Sequence, residues 1–231
     1  MGSLKYKVSV DLDEALRYMG VSSAPDFETL SDMRRLSAVA EKAAHPRVII
    51  KELPVVREGE RLSLSGSPLR LEGSAISALL HNSDSCVLFC ATVGEELEAL
   101  LRRYSVRDIS TAAMLDACAS SAVESLCNQV EAALRMEYKE RGLYLTDRFS
   151  PGYGDFPIEA QRNFCEELDT ARKIGVCLSE SGIMIPRKSV TALMGVSNVP
   201  QKSRERGCEG CGLKNSCKFR ESKVTCYGQA L

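Results

Sequence analysis

Arg148-Phe-Ser-Pro-Gly-Tyr-Gly-Asp-Phe-Pro157 is the stretch on which the reading of this chain turns. Proline fixes φ near −65° and glycine tolerates backbone conformations closed to other residues, so Pro151-Gly152 predicts a defined turn. Such a turn can present backbone groups, one guanidinium and one aromatic face to a single small ligand. Arginine grips carboxylates through two parallel hydrogen bonds. On spacing alone the simpler reading is a surface turn carrying an incidental Arg148 and Tyr153.

Working outward, the sequence on both sides predicts an α+β chain. Upstream, Asp108 to Arg141 is the longest helical segment. Ala112, Leu115, Ala119, Ala122, Leu126, Val130 and Ala133 recur at helical spacing and form one apolar stripe. Glu124 falls two residues from both Ala122 and Leu126, which predicts a solvated position on the opposite face. Downstream, Gln161–Lys173 reads as one helix, Gly175–Leu178 and Ser189–Val196 as strands, and Leu143–Leu145 as a short strand feeding the turn. Nearer the amino terminus, Asp11 caps a helix through Tyr18. A second helix covers Pro25–Ala44, with proline in its first turn and His45-Pro46 ending it. Val48–Ile50, Leu62–Leu64 and Leu69–Leu71 read as a meander of short strands, Ser74–His81 as a helix, and Cys86–Val93 as a buried strand before a helix opened by Gly94. This order is mixed α+β rather than alternating βαβ units, and no Gly-x-Gly-x-x-Gly loop is present.

Three of these segments together resemble one family. Arg148-Phe-Ser-Pro-Gly-Tyr153 is similar to the Arg-x-x-Pro-Gly-Tyr S-adenosylmethionine signature of the activation (reactivation) domain of cobalamin-dependent methionine synthase. Leu178-Ser-Glu-Ser-Gly-Ile-Met-Ile-Pro-Arg-Lys-Ser-Val190 resembles the family's Leu-Thr-Glu-Ser…Met-x-Pro…Ser-Val segment, and Ala122-Val-Glu-Ser-Leu126 its Ala-Glu-Ala-Phe helix. The likeness spans about residues 110–197. It implies a twisted antiparallel sheet with flanking helices over residues 1–200. It also implies an S-adenosylmethionine site with Arg148 on the methionine carboxylate, backbone groups of Ser150 and Gly152 holding the adenine or amino-acid end, and Pro151 in the binding turn. Tyr153 would pack on the ligand and Glu124 meet its ammonium. The implied task is methylation of a transiently reduced cobalamin carried by a separate methyltransferase that lacks its own activation domain, with an electron donor beside it. The chain departs from the family where a histidine would follow the glycine-tyrosine pair, and where Met194 replaces a tyrosine.

Composition narrows the alternatives. Net charge is −1 and tryptophan is absent, which argues against nucleic acid and anionic membrane surfaces. No apolar run reaches the roughly 18–20 residues that span a bilayer, and the amino terminus lacks a signal-peptide core. Both features lead us to expect a cytoplasmic protein. Of ten cysteines, Cys86, Cys90, Cys118, Cys127, Cys165 and Cys177 lie in apolar or helical sequence and are expected to be buried. The other four form Cys208-x2-Cys211-x5-Cys217-x8-Cys226 in a charged tail, 201–231, with few apolar residues between them. Four thiolates can hold zinc or an iron–sulfur cluster in place of a core. Iron–sulfur is preferred here because the resembled reaction consumes an electron. Two other functions remain open at this point: a non-enzymatic docking or metal-sensing module of a corrinoid methyltransferase system, and an independent small-molecule methyltransferase.

Overall fold

The computed structural model describes residues 6–21, 24–59, 61–201 and 217–221. Its elements are α1 (Leu12–Tyr18), α2 (Phe27–Ala43), β1 (Arg47–Glu58), β2 (Arg61–Leu64), α3 (Ser74–Leu79), β3 (Ser85–Thr92), α4 (Glu95–Arg107), α5 (Ile109–Glu140), β4 (Tyr144–Leu145), α6 (Ala160–Leu168), α7 (Thr170–Ile174), β5 (Cys177–Leu178), β6 (Met184–Ile185), β7 (Ser189–Ser197) and α8 (Lys218–Glu221). Five strands form one antiparallel sheet in the order β2-β1-β3-β7-β4, and β5 and β6 pair separately. This is the α+β arrangement expected from the sequence.

Helices cover both faces of the sheet, so its central strands are apolar on both sides. In β3, Val87, Phe89 and Ala91 point to the layer of α1, α2, α4 and α5, while Cys86, Leu88 and Cys90 point to the layer of α3, α6 and α7. Alternation of side chains along a strand produces this division. It places both strand cysteines in the core, as expected, where burial pushes their thiols well above the usual range. Burial also pushes Cys118 up to about 11 and Cys127 up to about 12, so these thiols pack as small apolar groups. Cys177 is the exception among the six, because it is exposed at the start of β5.

Several boundaries differ from the sequence reading, each for a local reason. Asp26, not Pro25, begins α2: its carboxylate accepts from Thr29 N at 2.7 Å, and the proline stands outside the cap. Of the expected meander, Val48–Ile50 and Leu62–Leu64 are found in the antiparallel neighbours β1 and β2, but β1 runs on for twelve residues and changes partner midway. Residues up to Pro54 pair with β3 and those from Val55 pair with β2. Pro54 has no N–H to donate, and it sits at the changeover. Of Leu69–Leu71 only an isolated bridge, Ser63 to Arg70, remains. The single helix expected over 161–173 is broken into α6 and α7 at Asp169, whose φ of 54° is left-handed. No helix among the described residues is long and apolar enough to cross a membrane.

Candidate functional site

β4 covers only the far end of β7, pairing with Val196 and Ser197. The chain then stays on β7 through Thr146, whose N–H donates to Gly195 O at 3.0 Å, and through Phe149, which bridges Leu193 with reciprocal bonds of 2.9 and 2.8 Å. Among the described pairings, residues 189–192 therefore have β3 on one side and no strand on the other. A cavity of about 350 Å³ opens along that edge, within the ~300–1,000 Å³ typical of small-ligand sites. Its walls come from β7 (residues 189–192), from α5 (Glu124), from the turn (Arg148, Ser150, Pro151, Tyr153), and from Ile158, Gln161 and Met184.

The turn is held by its own hydrogen bonds. Gly152 N donates to Phe156 O at 2.9 Å and Phe156 N to Tyr153 O at 3.0 Å, with Gly152 at φ 88°. Phe149 and Phe156 are buried at 3% and 1% exposure, and their rings stack with centroids 6.1 Å apart. They anchor the turn from below and leave Tyr153, 64% exposed, at the mouth of the cavity. Of the turn residues proposed from sequence, Ser150, Pro151 and Tyr153 line the cavity. Gly152 does not, and its N–H is already committed to Phe156.

Arg148 reaches back to α5. Its Nη2 donates to Asn128 Oδ1 at 2.7 Å, its Nε pairs with Glu131 Oε2 at 2.8 Å, and Nη2 lies 3.5 Å from Glu124 Oε2. Residues 124, 128 and 131 occupy one face of the helix, so a single side of α5 orients the guanidinium before any ligand arrives. Glu131 is shared with Arg135, which donates to it at 2.9 and 2.8 Å and also binds the carbonyls of Leu145 and Thr146. One and two helical turns earlier than Glu124 on the same face, Lys188 Nζ bonds Ser120 Oγ at 2.8 Å and Asp116 Oδ1 at 2.9 Å.

Glu124 is consequently not the solvated residue its sequence position suggested. Its side chain is about one-third exposed, at 35%, and faces the cavity. Burial raises its carboxyl above the ordinary range, with Arg148 pulling the other way. Asp116 and Glu131 each have a close cation at 2.9 Å or less, whereas Glu124 has only the 3.5 Å contact. It is the acidic group of this face best placed to accept a cation from outside. A guanidinium and a carboxylate side by side complement a ligand bearing both charges, as an α-amino acid does.

Residues that sequence reasoning missed complete the cavity. Gln161 is 5% exposed, and its amide lies 2.8 Å (Nε2) and 3.0 Å (Oε1) from the Thr191 hydroxyl, with Met184 Sδ 3.6 Å from Nε2. Asn128 and Glu131 were hidden because the polar face of a helix gives no sign of what stands opposite. Met194, which replaces the family's tyrosine, is fully buried in the core shared with α5 and does not line the cavity. Neither histidine lines the cavity; His45 pairs with Glu96 at 2.7 Å on the surface. The tail cysteines Cys208, Cys211 and Cys226 lie outside the described residues, and Cys217 is a half-buried free thiol just before α8. Among the described residues no cluster of His, Cys, Asp or Glu is placed to hold a metal ion.

Comparison with known proteins bears on this geometry. The family described as "Vitamin B12 dependent methionine synthase, activation domain" matches residues 76–202, more than half of the chain and beginning well before the motifs quoted above. Thirteen solved chains match in structure. One, described as "Crystal Structure of the MetH Reactivation Domain bound to AdoHcy", superposes with a TM-score of 0.57 at 18% identity, over 84% of this chain and 81% of the other. At that identity it shows the shared fold. No curated protein sequence matches significantly.

Proposed function

The chain belongs to the vitamin B12 dependent methionine synthase activation domain family, and from that premise we propose that it binds S-adenosylmethionine in the cavity between α5 and the Arg148 turn. There it presents the methyl group to a cobalamin carried by a separate methyltransferase. The observation that carries this reading is the Glu124–Arg148 pair on the cavity wall, 3.5 Å apart. It supplies one charge for each end of an amino-acid zwitterion. The AdoHcy bound to the structurally similar MetH reactivation domain supports the ligand class.

When bound, S-adenosylmethionine supplies an electrophilic methyl on a sulfonium that departs as a neutral thioether. The residues here need move no proton; their task is to hold the ligand in one orientation. Arg148, fixed by Asn128 and Glu131, takes the carboxylate, and Glu124 takes the ammonium. Ser150, Pro151 and Tyr153 pack along the ligand, and the Gln161–Thr191 pair offers polar groups at the floor. Two of the lining side chains are apolar and outward-facing, Tyr153 at 64% and Ile158 at 55% exposed, which suits an approaching apolar partner surface.

Calorimetric titration with S-adenosylmethionine tests the reading. Binding by the wild type and its loss in Arg148→Ala is the expected outcome, followed by methyl transfer to a cobalamin-loaded methyltransferase in the presence of a reductant. Absence of binding with and without that partner overturns it. We further propose that residues 201–231 are a separate metal-binding tail holding an iron–sulfur cluster or zinc through Cys208, Cys211, Cys217 and Cys226. The support is their spacing in sequence poor in apolar residues. Anaerobic absorption spectroscopy with metal analysis decides this: a cluster is coloured, zinc is not, and metal-free protein refutes both.

A further inference from the structure

α3 begins without a cap of its own. Gly73, at the N-cap position with φ 122°, has no side chain to accept the first free N–H groups of the helix. Those groups are met from far along the chain. Asp155 Oδ2 accepts from Ser74 N at 2.6 Å and from Ser74 Oγ at 2.7 Å, and its Oδ1 accepts from Ala75 N at 2.9 Å. The fit is close enough to require glycine: a Cβ on Gly73 would lie 2.7 Å from Asp155 Oδ1 and 2.8 Å from its carbonyl oxygen. The Ser74 hydroxyl, then the Ala75 and Ser74 N–H groups, lower the Asp155 carboxyl to about 2, so it is ionised at any working pH.

The location of this cap gives it a second consequence. Asp155 follows Tyr153 by two residues and precedes Phe156, whose N–H and C=O close the turn. α3 is anchored in the core through Ile76, with Leu80 just beyond it. Phe149 and Phe156 hold the base of the turn by burial, whereas residues 152–155 are all exposed and the Tyr153 ring only leans on Phe149, with centroids 6.4 Å apart. Accepting the reading of the cavity given above, we infer that Asp155 is a positioning residue for the ligand. It ties the outer limb of the turn to α3 and so fixes Tyr153 over the mouth of the cavity.

Because the aromatic base remains in place without Asp155, its removal should affect ligand affinity more than folding. At neutral pH, Asp155→Ala is expected to weaken S-adenosylmethionine binding about tenfold by calorimetry, a change in line with the loss of a helix cap. Asp155→Asn should retain part of the affinity, since its amide oxygen still accepts one N–H. Gly73→Ala, whose Cβ would meet both the carboxylate and the Asp155 carbonyl oxygen, should weaken binding at least as much as Asp155→Ala. The thermal midpoint of the Asp155 variants should move by no more than about 4 °C. Wild-type affinity in Asp155→Ala overturns the inference. A lowered midpoint with unchanged affinity also overturns it, because that marks a purely structural tie. Should Gly73→Ala fail to fold, the two Asp155 variants decide alone. Should the wild type bind no S-adenosylmethionine, the reading of the cavity fails, and the tie is judged by amide hydrogen exchange over residues 150–156. Faster exchange in Asp155→Ala supports the tie, and unchanged exchange overturns it.

Discussion

On one face of α5, Ala112, Leu115, Ala119, Ala122, Leu126 and Val130 recur every three or four residues and are at most 9% exposed. On another, Asp116, Ser120, Glu124, Asn128 and Glu131 recur at the same spacing, yet each meets a group from outside the helix. The apolar face is specified by the helix itself, since any sheet of suitable shape can receive it. The polar face has meaning only with Lys188 and Arg148 opposite, and these lie many residues downstream. Periodicity finds a core without knowing the partner, whereas a binding site is a relation between distant segments.

The contrast can be broken most forcefully from the apolar side. Leu126→Ala should cost about 2–5 kcal/mol of stability by denaturant unfolding. A loss well under 1 kcal/mol would mean that the stripe does not form the core. Arg148→Ala should cost about 2–5 kcal/mol of binding free energy while changing stability less, because Glu131 keeps Arg135. Equal damage to folding and binding would erase the distinction between the faces.

Glu124→Gln sharpens the comparison through pH. Burial first of all raises the Glu124 carboxyl, and Arg148 opposes the shift. Affinity for a cationic ligand should therefore be full above that raised value and fall as pH drops through it. Glu124→Gln should flatten the profile and weaken binding about tenfold at neutral pH, the scale of a charged hydrogen bond. A flat wild-type profile would remove Glu124 from the ammonium. For folding of the free protein the sign is reversed. The folded state favours the protonated carboxyl, so stability declines as pH rises from the unfolded value through the raised one, and Glu124→Gln removes that decline. The smallest effect is expected from Ser120→Ala. Lys188 keeps Asp116, so unfolding should shift by only about 0.5–1 kcal/mol, and a larger change would make the Lys188 contact a principal tie between β7 and α5.

The same contrast separates what the sequence made legible from what it did not. α5 and β3 could be read almost to the residue, because Asp108 caps one and an unbroken apolar run defines the other. The break at Asp169 and the continuity of β1 through Pro54 could not, since a left-handed aspartate and a change of strand partner are set by tertiary surroundings. At the site, family likeness led to Arg148, Ser150, Pro151, Tyr153 and Glu124, all of which line one cavity, but also to Gly152, which does not. Gln161 gave no signal because its buried partner Thr191 lies thirty residues away.

Among the described residues the 189–192 edge of β7 pairs with no strand beyond β3, and it carries a liability as well as a cavity. An unpaired strand edge is the place where sheets of separate molecules zip together. Lys188 stands at the start of this edge and Arg148 beside it, and charges so placed discourage a foreign strand from docking. A variant that neutralised both is expected to turn this cavity edge into a seam along which copies of the protein adhere.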